Sequence, residues 1–294
     1  MKRVILRLIL VGFLITALFV GFRVYSHFQE KERRAAYYEN LVDTASPTVQ
    51  VLRDSIRIGY RNEKRTIHLY VPPDYSRDST TRFPVMYFLD GESAFNDLET
   101  MGPEWQIDEV INAAAAQNKP TAIVVAINQA EDRDAEYTPF VNDDNPDAHG
   151  AEFARWVATD LKEWVDTHYR TLPEAESTTI GGISRSGMMA YYMLMAHPDV
   201  FGNAIIQSPS MWVDYDRLLA MELSNEELSQ KKIFISVGER EGRIMVPHAR
   251  DVYAKFRAHG LDEDHLRLAI IPDEGHWHVT WRKSFALAYP WLME

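Results

Sequence analysis

The sequence predicts an α/β domain with a doubly wound, mostly parallel sheet of eight strands and helices on both faces, preceded by a transmembrane helix. Three observations support this prediction. Strand-like runs alternate with helix-like segments from residue 48 onward, the order that produces a parallel sheet. The later runs are continuously apolar, as strands covered on both faces are. A separate apolar run lies near the N-terminus.

Residues 1–35 are predicted to be a membrane anchor, or an uncleaved signal, with a short stalk. Residues 8–22 are all apolar or small, and with residues 4–6 they near the length of about 20 that a spanning helix needs. No small-x-small cleavage site follows, which favours an anchor over a cleaved signal peptide. Either interpretation places the domain outside the cytoplasm, on the periplasmic side in a bacterium, or secreted after cleavage. Basic residues on both flanks leave the orientation open.

Residues 48–294 are predicted to form one domain. Its first two strands are amphipathic and are joined by residues 61–64, which indicates a hairpin. Pro103 suits a first helical residue and Gly260 a helix C-terminal cap. The strands are predicted at residues 51–58, 65–71, 85–89, 122–127, 178–183, 204–207, 233–237 and 266–271. The helices between them are predicted at residues 103–117, 148–168, 187–197 and 246–259.

Composition excludes several classes of function. The 294 residues carry a net charge of −12 without a basic, aromatic-rich cluster, so nucleic acid is not an expected partner. The chain has no cysteine, which excludes disulfides, thiolate catalysis and cysteine-ligated metals. The acidic stretch 143–147 lacks the glycine and closing glutamate of a calcium loop. We therefore expect no cofactor and no metal; the oligomeric state is left open.

Ser184 is the candidate nucleophile. It lies where a strand-like run ending at residue 183 changes into a helix, the arrangement of a nucleophile elbow. The Gly-x-Ser-x-Gly pattern requires glycine at position 186, where this chain has Ser186 followed by Gly187. Serine is nearly as small as glycine, so we expect the close passage of strand and helix to tolerate it.

A serine hydroxyl needs a base and an acid that orients the base. In the order serine, acid, histidine, the base follows the last strand. His276 is the preferred base and His278 the second choice, with a surface pair or a zinc site as other interpretations. Glu241 is the preferred acid because the loop has cleared its strand there, and Glu239 is the alternative.

The remaining site residues are predicted from position. The backbone N–H of Arg185 and one from the loop after the third strand, from Gly91 or Glu92, are expected to bind the oxyanion. Four side chains are candidates for the substrate pocket: Glu92, Tyr137, Trp212 and Trp277.

The residues also carry a family resemblance. The chain from about residue 50 is similar to the putative-esterase family of α/β-hydrolases, in its esterase D-like and enterochelin esterase-like branch. The resemblance rests on the Ser184 elbow, on Trp281, and on residues 83–92, 133–139, 208–212, 237–241 and 275–277. It implies the α/β-hydrolase fold, hydrolysis of carboxylic esters or thioesters, and Ser184 and His276 as nucleophile and base. Members of the family vary at the acid.

The sequence therefore predicts a serine esterase that works through an acyl-enzyme on a small-molecule ester, such as a siderophore-type lactone or a small acyl ester. An acyltransferase using the same residues is the alternative enzyme. A catalytically silent hydrolase-like domain that binds a ligand or partner at the membrane is the alternative of another class.

Overall fold

The computed structural model describes residues 2–39, 41–100 and 102–294, and the chain divides into two units, Met1–Val42 and Asp43–Glu294. The first unit contains helix α1 (Lys2–Tyr38). Its part Val11–Tyr38 is long and apolar enough to cross a membrane, a property that a signal sequence shares. At 1.5 Å per residue these 28 residues span about 42 Å, more than the hydrocarbon core of a bilayer.

The second unit is built on one sheet of eight strands in the order β1-β2-β4-β3-β5-β6-β7-β8. Strand β2 runs antiparallel to both β1 and β4, and every other pairing is parallel. The predicted mostly parallel sheet is confirmed. The strands are β1 (Val49–Ile58), β2 (Glu63–Tyr70), β3 (Val85–Leu89), β4 (Ile123–Ile127), β5 (Thr178–Ile183), β6 (Asn203–Gln207), β7 (Lys232–Gly238) and β8 (Leu266–Ile271).

Helices cover both faces of this sheet. Side chains of β3 alternate between two apolar cores, with Tyr87 on one face and Phe88 on the other, as the pleat requires. Side chains of α4, α5, α6 and α9 fill the first core, and those of α2 and α10 fill the second. The helices are α2 (Ile107–Ala116), α3 (Arg133–Glu136), α4 (Gly150–Trp156), α5 (Lys162–His168), α6 (Arg185–Ala196), α7 (Tyr215–Leu219), α8 (Asn225–Ser229), α9 (Gly242–Ala258) and α10 (His278–Leu292).

Two helix predictions need correction, and one long helix was missed. The helix predicted from Pro103 begins at Ile107, because Gln106 has a left-handed φ of 57° and the Trp105 N–H donates to the Ser93 carbonyl instead. The helix predicted over 148–168 is interrupted by a π-helical turn at Val157–Leu161. Helix α10 was not predicted.

Candidate active site

Ser184 lies between β5 and α6 with φ 60° and ψ −119°, a conformation that non-glycine residues rarely adopt. Neighbouring backbone holds it there: the Ser184 N–H donates to the Gln207 carbonyl at 2.9 Å, and the Ser210 N–H donates to the Ser184 carbonyl at 2.9 Å. A Cβ at Gly187 would lie 2.5 Å from the Gln207 carbonyl oxygen. The elbow therefore requires glycine at position 187.

Ser186 is fully buried, and its hydroxyl is used within the elbow. The oxygen accepts the Ile183 N–H at 2.8 Å and lies 2.7 Å from Oδ2 of Asp90, to which it can donate. The elbow thus accommodates a small side chain at position 186, and the Ser186 hydroxyl contacts both Ile183 and Asp90. The elbow is thereby joined to the loop after β3.

Asp90 anchors that loop. Its carboxylate accepts two hydrogen bonds from the Arg133 guanidinium, one from Nε at 2.7 Å and one from Nη2 at 2.6 Å. Its backbone N–H donates to the Tyr137 hydroxyl at 3.2 Å, and its φ of 59° turns the chain into a 3₁₀ turn at Gly91–Ser93. Such a two-point ion pair fixes geometry more firmly than a single hydrogen bond. The Asp90–Arg133 pair holds the loop whose Gly91 is a predicted oxyanion donor.

The structure brings Ser184, His276 and Glu241 together. His276 Nε2 is 2.9 Å from Ser184 Oγ, and His276 Nδ1 is 2.7 Å from Glu241 Oε2. With the proton on Nδ1 donated to the carboxylate, Nε2 is free to accept the serine proton. The Glu241 side chain is fully buried, and its other oxygen accepts from the Ser208 hydroxyl at 2.6 Å and the Gly238 N–H at 2.7 Å. These bonds fix the carboxylate that faces the imidazole.

The two alternative residues lie elsewhere. Glu239 accepts the Asp273 N–H at 2.9 Å, whereas the partner of His276 Nδ1 is Glu241. His278 lies in the wall of the cleft, with its ring 5.2 Å from that of Trp281, and burial lowers its pKa to about 4. Both nitrogens of His276 are engaged by Glu241 and Ser184, so the His276-x-His278 pair does not present a free imidazole pair to zinc.

The predicted oxyanion donors begin two short helices at the same edge of the sheet. The Arg185 N–H is the first of α6, and that of Gly91 is the first of the 3₁₀ turn, where N–H groups have no partner inside the helix. A Cβ at Gly91 would lie 2.3 Å from the Ala126 carbonyl carbon, so only glycine fits. The Arg185 guanidinium turns away to Asp134, with Nε 3.0 Å from Oδ1.

A cleft of about 250 Å³ opens over Ser184 and His276. Of the predicted pocket residues only Glu92 lines it. Tyr137 is fully buried under the loop after β3, Trp277 is buried with its N–H donated to Glu274, and Trp212 is exposed outside the cleft. The aromatic walls are instead Trp105 and Trp281, neither of which was predicted as a pocket residue. The remaining lining residues are Asp90, Ser93, Glu99, Gln129, Arg133, Ile183 and His278.

Glu92 carries an unusual carboxyl group in this cleft. Burial and the nearby charge of Asp90 raise the pKa of Glu92 to about 7. One of its oxygens accepts the Gln129 N–H at 3.2 Å. Its charge therefore changes near neutral pH, next to the predicted oxyanion donors.

Comparison with known proteins finds similarity to esterases and to an uncharacterized protein. The uncharacterized protein YbbA of Bacillus subtilis (strain 168) is 27% identical over 241 residues, which cover 78% of this chain and 92% of YbbA. The ferri-bacillibactin esterase BesA of the same organism is 23% identical over 249 residues, covering 75% and 82%. A solved ferulic acid esterase superposes with a TM-score of 0.66 at 16% identity, covering 84% of this chain and 98% of that one, a likeness of fold.

The fold, the site and these relatives define a carboxylic ester hydrolase. The family model described as "Putative esterase" matches residues 59–291. The chain belongs to this esterase family.

Proposed function

We propose that this esterase is a serine hydrolase in which Ser184 is the nucleophile, His276 the general base and Glu241 the residue that orients the base. The observation that carries the proposal is the continuous chain of contacts from the Ser184 hydroxyl through His276 to the buried Glu241 carboxylate, at 2.9 and 2.7 Å. A hydroxyl is a weak nucleophile unless a neighbouring base removes its proton.

The reaction runs in two halves. Ser184 Oγ attacks the ester carbonyl carbon as its proton passes to His276 Nε2, and the Arg185 and Gly91 N–H groups stabilise the oxyanion. The carbon–oxygen bond to the alcohol then breaks, and the alcohol oxygen takes the proton from His276. Water attacks the acyl-enzyme with His276 again as base, and the released acid leaves Ser184 with its proton restored.

The cleft supports a substrate whose acyl part is small. Its volume of about 250 Å³ lies below the 300–1,000 Å³ of sites that enclose a whole drug-sized ligand. We propose that the cleft encloses the acyl group and leaves the alcohol part at the mouth. Among substrates with a large alcohol part, the relative BesA, named as a ferri-bacillibactin esterase, favours a siderophore-type lactone.

We further propose that α1 anchors the enzyme with the catalytic domain outside the cytoplasm. The support is the length and apolar composition of Val11–Tyr38. The enzyme would then encounter its small-molecule ester in the periplasm or at the cell surface.

A fluorophosphonate probe tests the nucleophile. We expect labelling of Ser184, no labelling of Ser184→Ala, and labelling slowed at least 100-fold in His276→Ala. Ser210→Ala is the matched control, because the Ser210 hydroxyl lies only 3.2 Å from that of Ser184. Absence of labelling in folded wild-type protein, or labelling that survives Ser184→Ala, would contradict the proposal. Short-chain nitrophenyl esters compared with a siderophore lactone then separate the substrate classes.

A further inference from the structure

Three carboxylates outside the cleft form a compact group at the start of α2, here called the acidic cluster: Glu104, Asp108 and Glu109. Ligand oxygens of the three lie within 4.8 Å of one another. None of the three lines the cleft over Ser184. The acidic cluster is therefore separate from the proposed catalytic residues.

The acidic cluster is largely buried, and four of its six carboxylate oxygens lack a hydrogen-bond partner. The Glu104 residue has no exposed surface and Asp108 is 1% exposed. Both carboxylate oxygens of Glu104, Oδ1 of Asp108 and Oε2 of Glu109 have no hydrogen-bond partner. An unpartnered buried carboxylate is costly, because the group loses its water without compensation.

No basic side chain among residues 41–100 and 102–294 forms an ion pair with the acidic cluster. Arg282 comes near, but its guanidinium donates to the Glu104 backbone carbonyl at 2.7 and 2.9 Å. The protein has thus gathered three acids in its interior without a protein cation to neutralise them.

We propose that the acidic cluster binds one divalent cation of the calcium type, with Glu104, Asp108 and Glu109 as its protein ligands. Carboxylate oxygens are the donors that hard cations take. Two oxygens that share a Ca²⁺ ion at 2.3–2.6 Å lie at most about 5 Å apart, a limit that the cluster meets. Mg²⁺ gives up its water reluctantly and is usually held by one or two carboxylates with several waters, so three carboxylates gathered in a largely buried place favour the larger ion.

The position of the acidic cluster indicates what the ion does. Asp108 also accepts the Ser46 N–H at 2.7 Å, so it holds the segment that precedes β1. Glu104 adjoins Trp105, which lines the cleft. An ion bound here stabilises the contact between residues 43–46 and the start of α2. It also stabilises the position of Trp105 in the cleft wall. We expect it to raise the stability of the fold without entering the reaction.

The test uses the full-length chain in detergent, stripped with a chelator and titrated with Tb³⁺ and then with Ca²⁺. Because Trp105 adjoins Glu104, bound Tb³⁺ should show tryptophan-sensitised emission that saturates at one ion and is displaced by Ca²⁺. Ca²⁺ at 100 times its Kd should raise the Tm by about 5 °C. Mg²⁺ at the same concentration should raise it less.

Glu104→Gln and Asp108→Asn should each weaken Tb³⁺ and Ca²⁺ binding at least tenfold. The matched control is the double change Asp143→Asn, Asp144→Asn in the exposed acidic loop, which should leave binding unchanged. Glu109→Gln, at the half-buried ligand, serves as the second variant if a buried change prevents folding. Binding that persists in the cluster variants, or no response to either ion, would overturn the proposal. A higher Tm in Asp108→Asn with no effect of Ca²⁺ would also overturn it, and would indicate a cluster that shares protons.

Discussion

The hydroxyl of Ser186 lies 2.7 Å from a carboxylate oxygen of Asp90, a residue 96 positions earlier in the chain. The elbow and the loop after β3 are therefore joined by a side chain at the one position where this chain departs from Gly-x-Ser-x-Gly. Arg133 donates one hydrogen bond to each oxygen of the same carboxylate. This contact joins the elbow that carries the proposed nucleophile to the loop that carries Gly91, one of the two proposed oxyanion donors.

Ser186→Ala should lower the free energy of unfolding by about 1–2 kcal/mol, because the buried Ile183 N–H loses its acceptor and Asp90 loses a donor. Ser186→Gly should cost at least as much, although it restores the glycine of the pattern. Urea unfolding measures both changes. Ser229→Ala, at an exposed serine in α8, is the control and should stay within about 0.5 kcal/mol of wild type. An equal effect of Ser186→Ala and the control would contradict the prediction.

Glu241→Gln should lower kcat by about 10³-fold with little change in KM, because an amide no longer selects the imidazole tautomer that leaves Nε2 free. Glu239→Gln is the matched control, because it lies two residues away and accepts only the Asp273 N–H. We expect its kcat to stay within about threefold of wild type. Steady-state kinetics on a nitrophenyl ester measure both. A larger loss in Glu239→Gln would reassign the acid.

Glu92 should make the reaction pH-dependent. Below pH 7 its carboxyl is neutral, and above pH 7 its negative charge opposes the oxyanion that forms nearby. Glutamine mimics the neutral form, so the kcat ratio of Glu92→Gln to wild type should be near one at pH 5.5 and rise about three- to tenfold by pH 8.5. A ratio that stays flat would contradict the role given to Glu92.

The Glu92 carboxyl should also make the free energy of unfolding depend on pH. The folded protein holds the Glu92 proton more tightly than the unfolded chain, since the pKa is about 7 instead of 4.5. The free energy of unfolding of wild type should therefore decrease as pH rises from 4.5 to 7, relative to that of Glu92→Gln. Urea unfolding at pH 5 and pH 8 measures the difference, and an equal pH dependence in the two proteins would count against it.

Removal of residues 1–42 should move the enzyme from the membrane fraction to the soluble fraction and leave kcat/KM within about twofold. The reason is that Asp43–Glu294 contains the sheet and every proposed catalytic residue. Fractionation and the mass of the mature full-length chain distinguish an anchor from a cleaved signal. Full-length, uncleaved enzyme recovered in the soluble fraction would contradict anchoring.

The strands were the most predictable part of the fold. Predicted and observed bounds coincide for β3, β5 and β8, because each run of mostly apolar, β-branched or small residues is bounded by a polar residue or a proline. The start of α2 was mispredicted because Pro103 suits a first helical residue, while the Ser93 carbonyl holds residue 105 outside the helix. Long-range contact outweighed local preference there.

The site was predictable only where chain order determines position. Serine, acid and histidine each follow a strand of one parallel sheet, so their loops meet at one edge. Whether an aromatic residue lines the cleft depends on how its side chain packs in the folded protein. Sequence position does not reveal this packing for Tyr137, Trp277 or Trp105. The Asp90–Ser186 contact and the acidic cluster likewise depend on tertiary packing.

His276 lies after β8, the last strand of the sheet. A growing chain that already contains Ser184 and Glu241 still lacks the proposed base until β8 and the loop beyond it have been synthesised. On the proposed mechanism, a chain that ends before residue 276 therefore has no general base for ester hydrolysis, even though its nucleophile and acid are already present.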